Sequence, residues 1–310
     1  MRQAQQLGLV LSAWLPLAAQ TFTYQQFFTP RPKQGSYTYA NGINGRGTVV
    51  GYDTYSTDRG HSVVTRGFRR NPGGTFGDPI IDPGDKGNLT EAWGINDLGT
   101  IVGYYSGATR QLGFVENSGN FTTLDYYPGG HTWALGVNYR GDVAGAFGTQ
   151  IPPEHGFIAV NGAATQIDVP GAVFTEAFGV AADGSVVGCT AKGIQSLGFV
   201  RSPDGRYRTI AVANANTTCA RGIDNAAHSI VGYYVDQSGG FHGFIYDYLA
   251  SKGTSADEFS IIPVTTIDYP GGAFDTVLEG INDGGQIVGF AQSQQGGLSP
   301  AFGFVGTPAQ

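Results

Sequence analysis

Short corner segments of the form Asp-x-Pro-Gly carry the residues with the clearest potential for ligand chemistry. Asp125, Asp168 and Asp268 each stand two or three residues before a Pro-Gly pair. Pro-Gly is typical of a type II turn, because glycine adopts the positive φ that this turn requires. Each carboxylate can therefore serve its turn by accepting backbone N–H bonds, or it can face a ligand, and the sequence leaves both interpretations open.

Aromatic and acidic residues surround these corners, and together they predict a binding rim at one mouth of a central channel. Aromatic rings cover the apolar C–H faces of sugars, while carboxylates and hydroxyls orient the ligand. The alternative is that the aromatic side chains serve packing between neighbouring sheets. The residues assigned to the predicted ligand-binding rim are Asp125, Tyr127, His131, Trp133, Asp168, Phe174, Glu176, Asp268 and Asp275.

Signals for catalysis are weaker than signals for binding. Glu91 and Glu176 occupy the same position in two repeats and form a candidate carboxylate pair for glycoside cleavage. The other interpretation is a pair of solvated residues at strand ends. The five histidines lack metal-ligand spacing, and the chain has neither a Gly-x-Ser-x-Gly elbow nor a phosphate-binding Gly-x-x-x-x-Gly-Lys. The sequence therefore predicts no metal site and no cofactor, and it favours a non-enzymatic protein.

A repeated phrase, Thr-x-Ala-x-Gly-Ile-Asn-x-x-Gly-x-Ile-Val-Gly-Tyr, organises the elements that must position these residues. Its successive central glycines lie 52, 42, 43, 43 and 58 residues apart, by subtraction of their numbers. A period of about 43 residues is that of a four-stranded propeller blade. The central glycines are Gly42, Gly94, Gly136, Gly179, Gly222 and Gly280.

The second repeat shows how one unit can form one blade. Residues 90–96, 101–105, 113–115 and 121–125 read as strands separated by turns rich in Asn, Gly and Ser. A threonine four residues before every central glycine belongs to a set of small side chains that lets the inner strands converge at the axis. A Gly-Phe pair marks the third strand of every repeat, and each buried phenylalanine is expected to contribute about 1.5–3 kcal/mol. These phenylalanines are Phe68, Phe114, Phe157, Phe199, Phe244 and Phe304.

The two ends of the repeat array complement each other. Residues 22–24 resemble a fourth strand but precede the first complete repeat, and the chain stops soon after the third-strand marker at residues 301–305. The sequence therefore predicts an all-β, six-bladed β-propeller over residues 21–307. Its blades are four-stranded and antiparallel, and pairing of the N-terminal and C-terminal strands closes the ring. The alternative is an open β-solenoid, whose terminal repeats need not complement each other.

Composition and the N-terminal segment bear on location and partners. Fifty glycines and 13% charged residues suit many short strands joined by tight turns. The net charge of −7 comes without the basic cluster that nucleic acid would require. Residues 1–20 read as a signal peptide, because Arg2 precedes an apolar run that is too short to span a bilayer. We therefore expect a secreted, extracellular or periplasmic monomer without a membrane span.

The two cysteines, Cys189 and Cys219, lie in consecutive repeats, near the ends of strands that can face each other. In an oxidising compartment they can form a disulfide. Two buried free thiols are the alternative, and the sequence leaves both possibilities open.

The repeat resembles the bacterial extracellular HAF repeat, which runs from His-Ala-Phe to Ala-x-Gly-Ile-Asn-x-x-Gly-x-Val-Val-Gly. The His-Gly-Phe triplets at residues 155–157 and 242–244 are nearest to the name motif. Glycine replaces alanine in both triplets, and the other four repeats lack the histidine. The resemblance implies a secreted or surface-attached bacterial protein, and it implies no activity and no catalytic residues.

Near-identical repeats without a chemically unusual member favour a binding module. Such a module would take a glycan or protein ligand through its loop faces. The alternative is an extracellular hydrolase or lyase that acts on a polysaccharide or lactone, which requires convergent acids or metal ligands in the channel. A channel lined by Thr, Ala and backbone alone would remove the basis of that alternative.

Overall fold

The computed structural model describes residues 21–30, 36–57, 62–150, 154–251, 259–293 and 300–309. The predicted signal peptide, residues 1–20, lies outside the described residues. The described chain is built from β-strands, with a short 3-10 helix at Leu249–Ser251. Within the described ranges, no helix has the length and apolar character that crossing a membrane requires. The expected all-β class is confirmed.

Four of the sheets stand apart from one another, and each contains three or four antiparallel strands. The first is β2 (Tyr37–Ile43), β3 (Val49–Thr57) and β4 (Ser62–Arg70). The second is β5 (Thr90–Ile95), β6 (Ile101–Ser106), β7 (Gln111–Asn117) and β8 (Asn120–Leu124). The third is β9 (His131–Val137), β10 (Val143–Gly148), β11 (His155–Val160) and β12 (Ala163–Ile167). The fourth is β22 (Asp275–Ile281), β23 (Ile287–Gln292), β24 (Phe302–Pro308) and β1 (Phe22–Phe27).

The fourth and fifth repeats share a nine-stranded sheet that contains two antiparallel meanders. The first meander is β13 (Phe174–Val180), β14 (Val186–Lys192), β15 (Gln195–Arg201) and β16 (Tyr207–Ala211). The second is β17 (Thr217–Ile223), β18 (Ser229–Val235), β19 (Phe241–Asp247) and β21 (Thr265–Ile267). A parallel bridge from Ser196 to Thr217 joins them, and β20 (Phe259–Ile261) pairs in parallel with β16.

The first repeat departs from the expected four-stranded blade. Its sheet has three strands, and isolated bridges from Gly67 to Ile80 and from Arg70 to Phe76 stand where a fourth strand was expected. Pro79 lies within this stretch and Pro83 follows it, and proline cannot donate an N–H to a ladder. The expectation of four strands in every blade is therefore wrong for this repeat.

The predicted pairing of the terminal segments is confirmed. β1 runs antiparallel to β24, from Phe22 opposite Pro308 to Phe27 opposite Gly303. The ring of Tyr24 packs edge-on against Phe304, with centroids 5.7 Å apart. The first segment of the chain therefore supplies the outer strand of the last sheet.

Close approach between neighbouring inner strands explains the central glycine of each repeat. A Cβ on Gly42 would lie 2.7 Å from the carbonyl oxygen of Trp93, and a Cβ on Gly280 would lie 2.8 Å from that of Asn41. The other four central glycines likewise lie against the inner strand of the following repeat. Contacts between inner strands therefore run from each repeat to the next and return from the sixth to the first.

The threonine of each repeat is a hydrogen-bond acceptor for the preceding corner. Thr132 Oγ1 accepts from the backbone N–H of Tyr126 at 3.2 Å, and Thr175 Oγ1 accepts from that of Val169 at 3.0 Å. The same bond recurs at Thr38, Thr90, Thr218 and Thr276. The expectation that this residue serves chiefly as a small side chain at the axis is therefore incomplete, because its hydroxyl holds the corner to the inner strand.

Replacement of Thr132 by valine is expected to destabilise the protein by about 1 kcal/mol, because valine keeps the shape but removes the acceptor for the Tyr126 N–H. Urea unfolding followed by tyrosine and tryptophan fluorescence measures this change. Thr122→Val, on an exposed position of β8, is the control and is expected to change stability by less than about 0.5 kcal/mol. Equal effects of the two variants would contradict the role of the corner bond.

The third-strand phenylalanines lie in the core, as predicted. Phe114, Phe157, Phe199, Phe244 and Phe304 are fully buried, and Phe68 is 5% exposed. Each clusters with apolar residues of a neighbouring repeat, as Phe199 does with Ala144 and Ile158. These side chains therefore pack the sheets against one another.

The two cysteines form a disulfide between β14 and β17, with Cα atoms 4.9 Å apart. Cys189 stands opposite Glu176 in the strand register, just as Tyr104 stands opposite Glu91 in the second repeat. Tyr104 packs edge-to-face against Trp133 of the next repeat. The disulfide joins the corresponding positions of the fourth and fifth repeats by a covalent bond. Of the two states that the sequence leaves open, the structure has the bonded one.

Candidate functional site

Every inner strand has a β-bulge at the same point, and the residue at this bulge differs from repeat to repeat. The pairing between the first two strands shifts register just before the central glycine, which leaves the preceding residue without a partner across the ladder. Such a bulge re-aims a side chain. We call these six positions the bulge residues; they are Asn41, Trp93, Leu135, Phe178, Arg221 and Glu279.

The bulge residues line a cavity at the centre of one face of the ring. We call this the turn face, because it carries the hairpin turns between first and second strands, such as residues 96–99. The cavity has a volume of about 80 Å³ and is open to solvent. All six central glycines contribute to its wall, and the turns add Asp97, Asn225 and Asp283. This combination of a concave shape with a few polar and aromatic side chains is typical of a ligand pocket.

Arg221 is the cationic group of this cavity. Its guanidinium carbon lies 3.9 Å from the centroid of the Phe178 ring and 5.9 Å from that of Trp93. Its Nε lies 3.6 Å from a carboxylate oxygen of Glu279, which is an ion pair but too long for a hydrogen bond. Among the described residues, no acceptor is within hydrogen-bond distance of this buried Nε. The guanidinium is therefore held by ring faces and charge.

The indole of Trp93 is held in place by a buried carboxylate. Glu91 Oε2 accepts from Trp93 Nε1 at 3.0 Å and from the hydroxyl of Tyr104 at 2.6 Å. Burial raises the pKa of Glu91, and the two hydrogen bonds oppose that rise. Glu91 is therefore a buried acceptor that orients the ring, and the interpretation of this residue as a solvated strand-end group is wrong.

Two further carboxylates lie in the electrostatic environment of Arg221. Burial raises the pKa of both Glu279 and Glu176, and the Arg221 charge partly offsets this rise. Burial alone lowers the pKa of Arg221, but Glu279, Tyr233 and Glu176 outweigh burial and leave the pKa above its usual value. Both carboxylates therefore interact with the Arg221 charge, and Glu279 also lines the cavity.

The asparagine of the repeated Gly-Ile-Asn phrase closes the wall of the turn face. Asn96 Oδ1 accepts from the backbone N–H groups of Leu98 and Thr100, while its Nδ2 donates to the carbonyl of Asn138 in the next repeat at 3.0 Å. The same turn cap and the same donation recur at Asn44, Asn138 and Asn282. One side chain therefore caps its own turn and ties it to the neighbouring repeat.

The corner aspartates are held by cationic or potentially cationic side chains of their own repeats. Asp125 forms two bonds with Arg110, at 2.7 and 2.6 Å, and Arg110 also donates to the carbonyl of Gly130 at 2.8 Å. The Arg110 bonds hold the pKa of Asp125 below its ordinary value. The Asp125 carboxylate therefore fixes the corner through a side-chain pair, and neither of the two interpretations offered by the sequence describes this contact.

Asp168 and Asp268 occupy the same setting in two other repeats. His155 Nδ1 lies 3.0 Å from Asp168, and His242 Nδ1 lies 3.0 Å from Asp268. Both histidines come from the triplets that most resemble the HAF motif. Each pair links the third strand to the corner, and the two pairs lie in separate repeats.

The aromatic members of the predicted rim form a stacked group between the second and third repeats. The rings of His131 and Trp133 are parallel with centroids 5.3 Å apart, and Tyr127 stacks on Phe147 at 5.5 Å. Gln111 ties the group together, because its amide oxygen accepts from Trp133 Nε1 at 2.7 Å and its backbone N–H donates to His131. Trp133 is buried, whereas Tyr127 is exposed. The structure brings these residues together largely through packing.

The last three members of the predicted rim lie apart from this group. Phe174 packs with the inner aromatic cluster, and the charge of Arg221 acts on Glu176. Asp275 accepts from the backbone N–H of Phe241 at 3.2 Å, and burial raises its pKa. The nine predicted residues therefore do not converge on one pocket, and a ligand-binding role for them stays a prediction.

The residues that do converge are the bulge residues, which the sequence analysis passed over as the variable position between Ala and Gly. A signal for them is present in the chain. The residue before it is Ala or Leu and the residue after it is Gly in every repeat, whereas this one changes among amide, aromatic, aliphatic, cationic and anionic side chains. Such variation beside a constant glycine indicates a side chain that the strand repeat does not fix.

His242→Gln is expected to destabilise the protein more at pH 5.5 than at pH 8.5. Burial lowers the pKa of His242, but Asp268 and Asp236 outweigh burial and raise it above its ordinary value. A raised folded-state pKa adds stability that is fully present below the unfolded value of about 6.5 and is lost as pH rises through the folded value. Asp275 also faces this histidine, and Tyr234 stacks on it. Thermal unfolding across this pH range measures the effect, and Arg206→Gln at an exposed position is the control. A loss of stability in His242→Gln that does not depend on pH would contradict the prediction.

No group of three or more His, Cys, Asp and Glu side chains in the described part of the chain is arranged to hold a metal ion. The carboxylates of the cavity are instead distributed around Arg221 and the turn face.

Comparison with known proteins bears on the fold. No protein-family model and no curated protein matches the chain. TolB from Acinetobacter baumannii is similar with a TM-score of 0.54 and 11% identity, over 84% of this chain and 63% of the TolB chain. A streptogramin B lyase gives a TM-score of 0.47 and 13% identity, over 93% of this chain and 98% of the lyase chain. The β-propeller domain of the Trilobed protease from Pyrococcus furiosus gives 0.48 and 10%, over 89% of this chain and 98% of that domain. The chain is an all-β protein with the propeller fold.

Proposed function

We propose that this protein is a secreted, non-enzymatic six-bladed propeller that binds a glycan or protein ligand, with the turn-face cavity as the anchoring point. The six-blade count is supported by the six inner strands, whose glycine contacts run in a closed circle. In this description the nine-stranded sheet counts as two blades. The disulfide supports an oxidising location, outside the cytoplasm. Membership of the HAF-repeat family is part of the same proposal.

One observation carries the binding proposal. The turn-face cavity gathers one side chain from each repeat at a bulge, where the side chain has no role in strand pairing. Trp93 reaches towards Phe178 and Arg221, so that aromatic and charged groups close the floor of the cavity. A ligand group that enters from the turn face therefore meets a shaped surface with aromatic, charged and amide groups.

A pair of matched variants tests where ligands bind. Asn41→Trp places in the first repeat the side chain that the second repeat already carries at its bulge, and it narrows the cavity. Val173→Trp adds the same ring at a 70% exposed position that does not line the cavity. We expect binding on a glycan array and to defined surface proteins to be lost in the first variant and kept in the second. The reverse outcome would move the site to the corners, and no binding by the unmodified protein would refute the proposal.

A second candidate is the hydrolase or lyase acting on a polysaccharide or lactone. Its support is the pair of carboxylates that interact with the Arg221 charge, Glu279 in the cavity lining and Glu176 in the fourth repeat; burial raises the pKa of both. Glu176→Gln would abolish release of reducing sugar or lactone opening by the mature protein. Absence of any turnover by the unmodified protein on a polysaccharide and lactone panel would remove this candidate.

A further inference from the structure

The charge on the cavity lining points to the chemical class of the ligand. Asp97, Asp283 and Glu279 are carboxylates, and Arg221 is the positively charged residue among the lining residues. The lining therefore carries an excess of two negative charges. Asp283 is exposed and Asp97 half-buried, and both stand on turns at the entrance.

The two entrance carboxylates keep acceptor capacity for a ligand. One oxygen of Asp97 accepts from the backbone N–H of Gly45 at 2.6 Å, and one oxygen of Asp283 accepts from that of Ala226 at 3.3 Å. A carboxylate has two oxygens and about four acceptor sites. The bonds that hold these side chains over neighbouring turns therefore leave acceptors for an incoming donor.

The single positive charge in the lining is already compensated within the protein. Glu279 pairs with Arg221, Glu176 adds a second carboxylate nearby, and the ring of Phe178 covers the guanidinium at 3.9 Å. An incoming anion would have to displace these groups. An incoming cation meets entrance carboxylates that have no cationic partner within the lining.

The aromatic floor suits the same class of ligand. Trp93 is partly exposed, and Glu91 fixes the orientation of its ring. Aromatic faces attract cations, and Arg221 shows this preference within the molecule because its guanidinium lies over Phe178 and within 5.9 Å of Trp93. The apolar walls formed by Ile95 and Val180 can cover a hydrocarbon stem.

We propose that the turn-face cavity binds a positively charged amine or guanidinium group carried on an apolar stem. Asp97 and Asp283 hold the charge at the entrance, and Trp93 and the aliphatic walls contact the stem. This inference rests on the proposed binding function and deepens it. A lysine or arginine side chain of a polypeptide and a free alkylamine share this chemistry.

Binding of four small probes tests the ligand class. Hexylamine, hexanol and hexanoate have the same stem and differ in charge, and acetyl-Gly-Lys-Gly-amide presents the amine on a peptide. Calorimetry and the fluorescence of Trp93, isolated in a background that carries both Trp14→Phe and Trp133→Phe, report occupancy of the cavity. We expect hexylamine or the lysine peptide to bind at least tenfold more tightly than hexanol and hexanoate, and the tighter of the two identifies the source. Raising the salt concentration is expected to weaken this binding.

Variants with equal charge changes supply the control. Asp97→Asn with Asp283→Asn is expected to lower affinity for the amine at least tenfold. Asp78→Asn with Asp204→Asn, two aspartates outside the cavity lining, is expected to change affinity less than twofold. Equal loss in both double variants, or binding of hexanol or hexanoate as tight as that of hexylamine, would overturn the cation proposal while leaving the binding function in place. No binding of any probe to the cavity would also overturn the cation proposal, whereas the binding function is decided separately by the glycan array and the defined surface proteins.

Discussion

Arg221→Met is expected to lower the free energy of unfolding by about 3–5 kcal/mol at pH 7, because it leaves a buried carboxylate without its partner. The Glu279 side chain is 5% exposed and Arg221 is 16% exposed, so water replaces the lost interaction poorly. Methionine keeps much of the apolar stem of Arg221 and removes the guanidinium that lies over Phe178. Urea unfolding monitored by circular dichroism measures the change.

Charge balance predicts both the rescue of this variant and its pH dependence. Arg221→Met with Glu279→Leu removes both charges and is expected to recover most of the loss. Burial raises the folded-state pKa of Glu279, so the penalty of the single variant is full above that pKa and fades as pH falls towards about 4. Arg206→Met, at an exposed ion pair with Asp204, is the control and is expected to have little effect. A single variant that is as stable as the unmodified protein would contradict the role of the buried pair.

Loss of the Cys189–Cys219 disulfide is expected to cost about 3–4 kcal/mol, the value of the chain-entropy model for a loop of about 30 residues. The bond joins β14 to β17, and therefore holds the fourth repeat to the fifth next to the cavity. Urea unfolding with and without dithiothreitol measures the cost directly.

The double variant Cys189→Ser with Cys219→Ser supplies the comparison. It is expected to match the reduced protein in stability and to be insensitive to dithiothreitol. Two titratable thiols in the denatured, non-reduced protein would show that the bond does not form. An unchanged unfolding midpoint after verified reduction would contradict its contribution.

Much of the scaffold could be predicted from the repeat, because the same residue type recurs at the same structural position. The Gly-Phe pairs predicted buried anchors, and all six phenylalanines lie in the core. The complementary termini predicted the pairing of β1 with β24. The three-stranded first sheet was not predicted, since the segment around Ile80 keeps core contacts while prolines interrupt its ladder.

The site was predicted less well, for a physical reason. Corner residues such as Asp125 and Asp168 look reactive in sequence, but within the fold each meets a partner in its own repeat. The cavity residues follow no pattern in the sequence. The bulge that directs their side chains arises from the pairing register of two strands, which the sequence does not show. Trp93 and Arg221 come from the second and fifth repeats and meet in the cavity. No local sequence pattern predicts a contact between residues so far apart in the chain.

The bulge in each inner strand has a consequence for how this protein can change. Strand pairing and the close glycine contacts do not use the bulge side chains, so substitution at Leu135 leaves the ladder pairing intact. Six such positions surround one opening, and Arg221 and Glu279 must change together because they form an ion pair. The same backbone can thereby present different chemistries to different molecules without redesign of the ring.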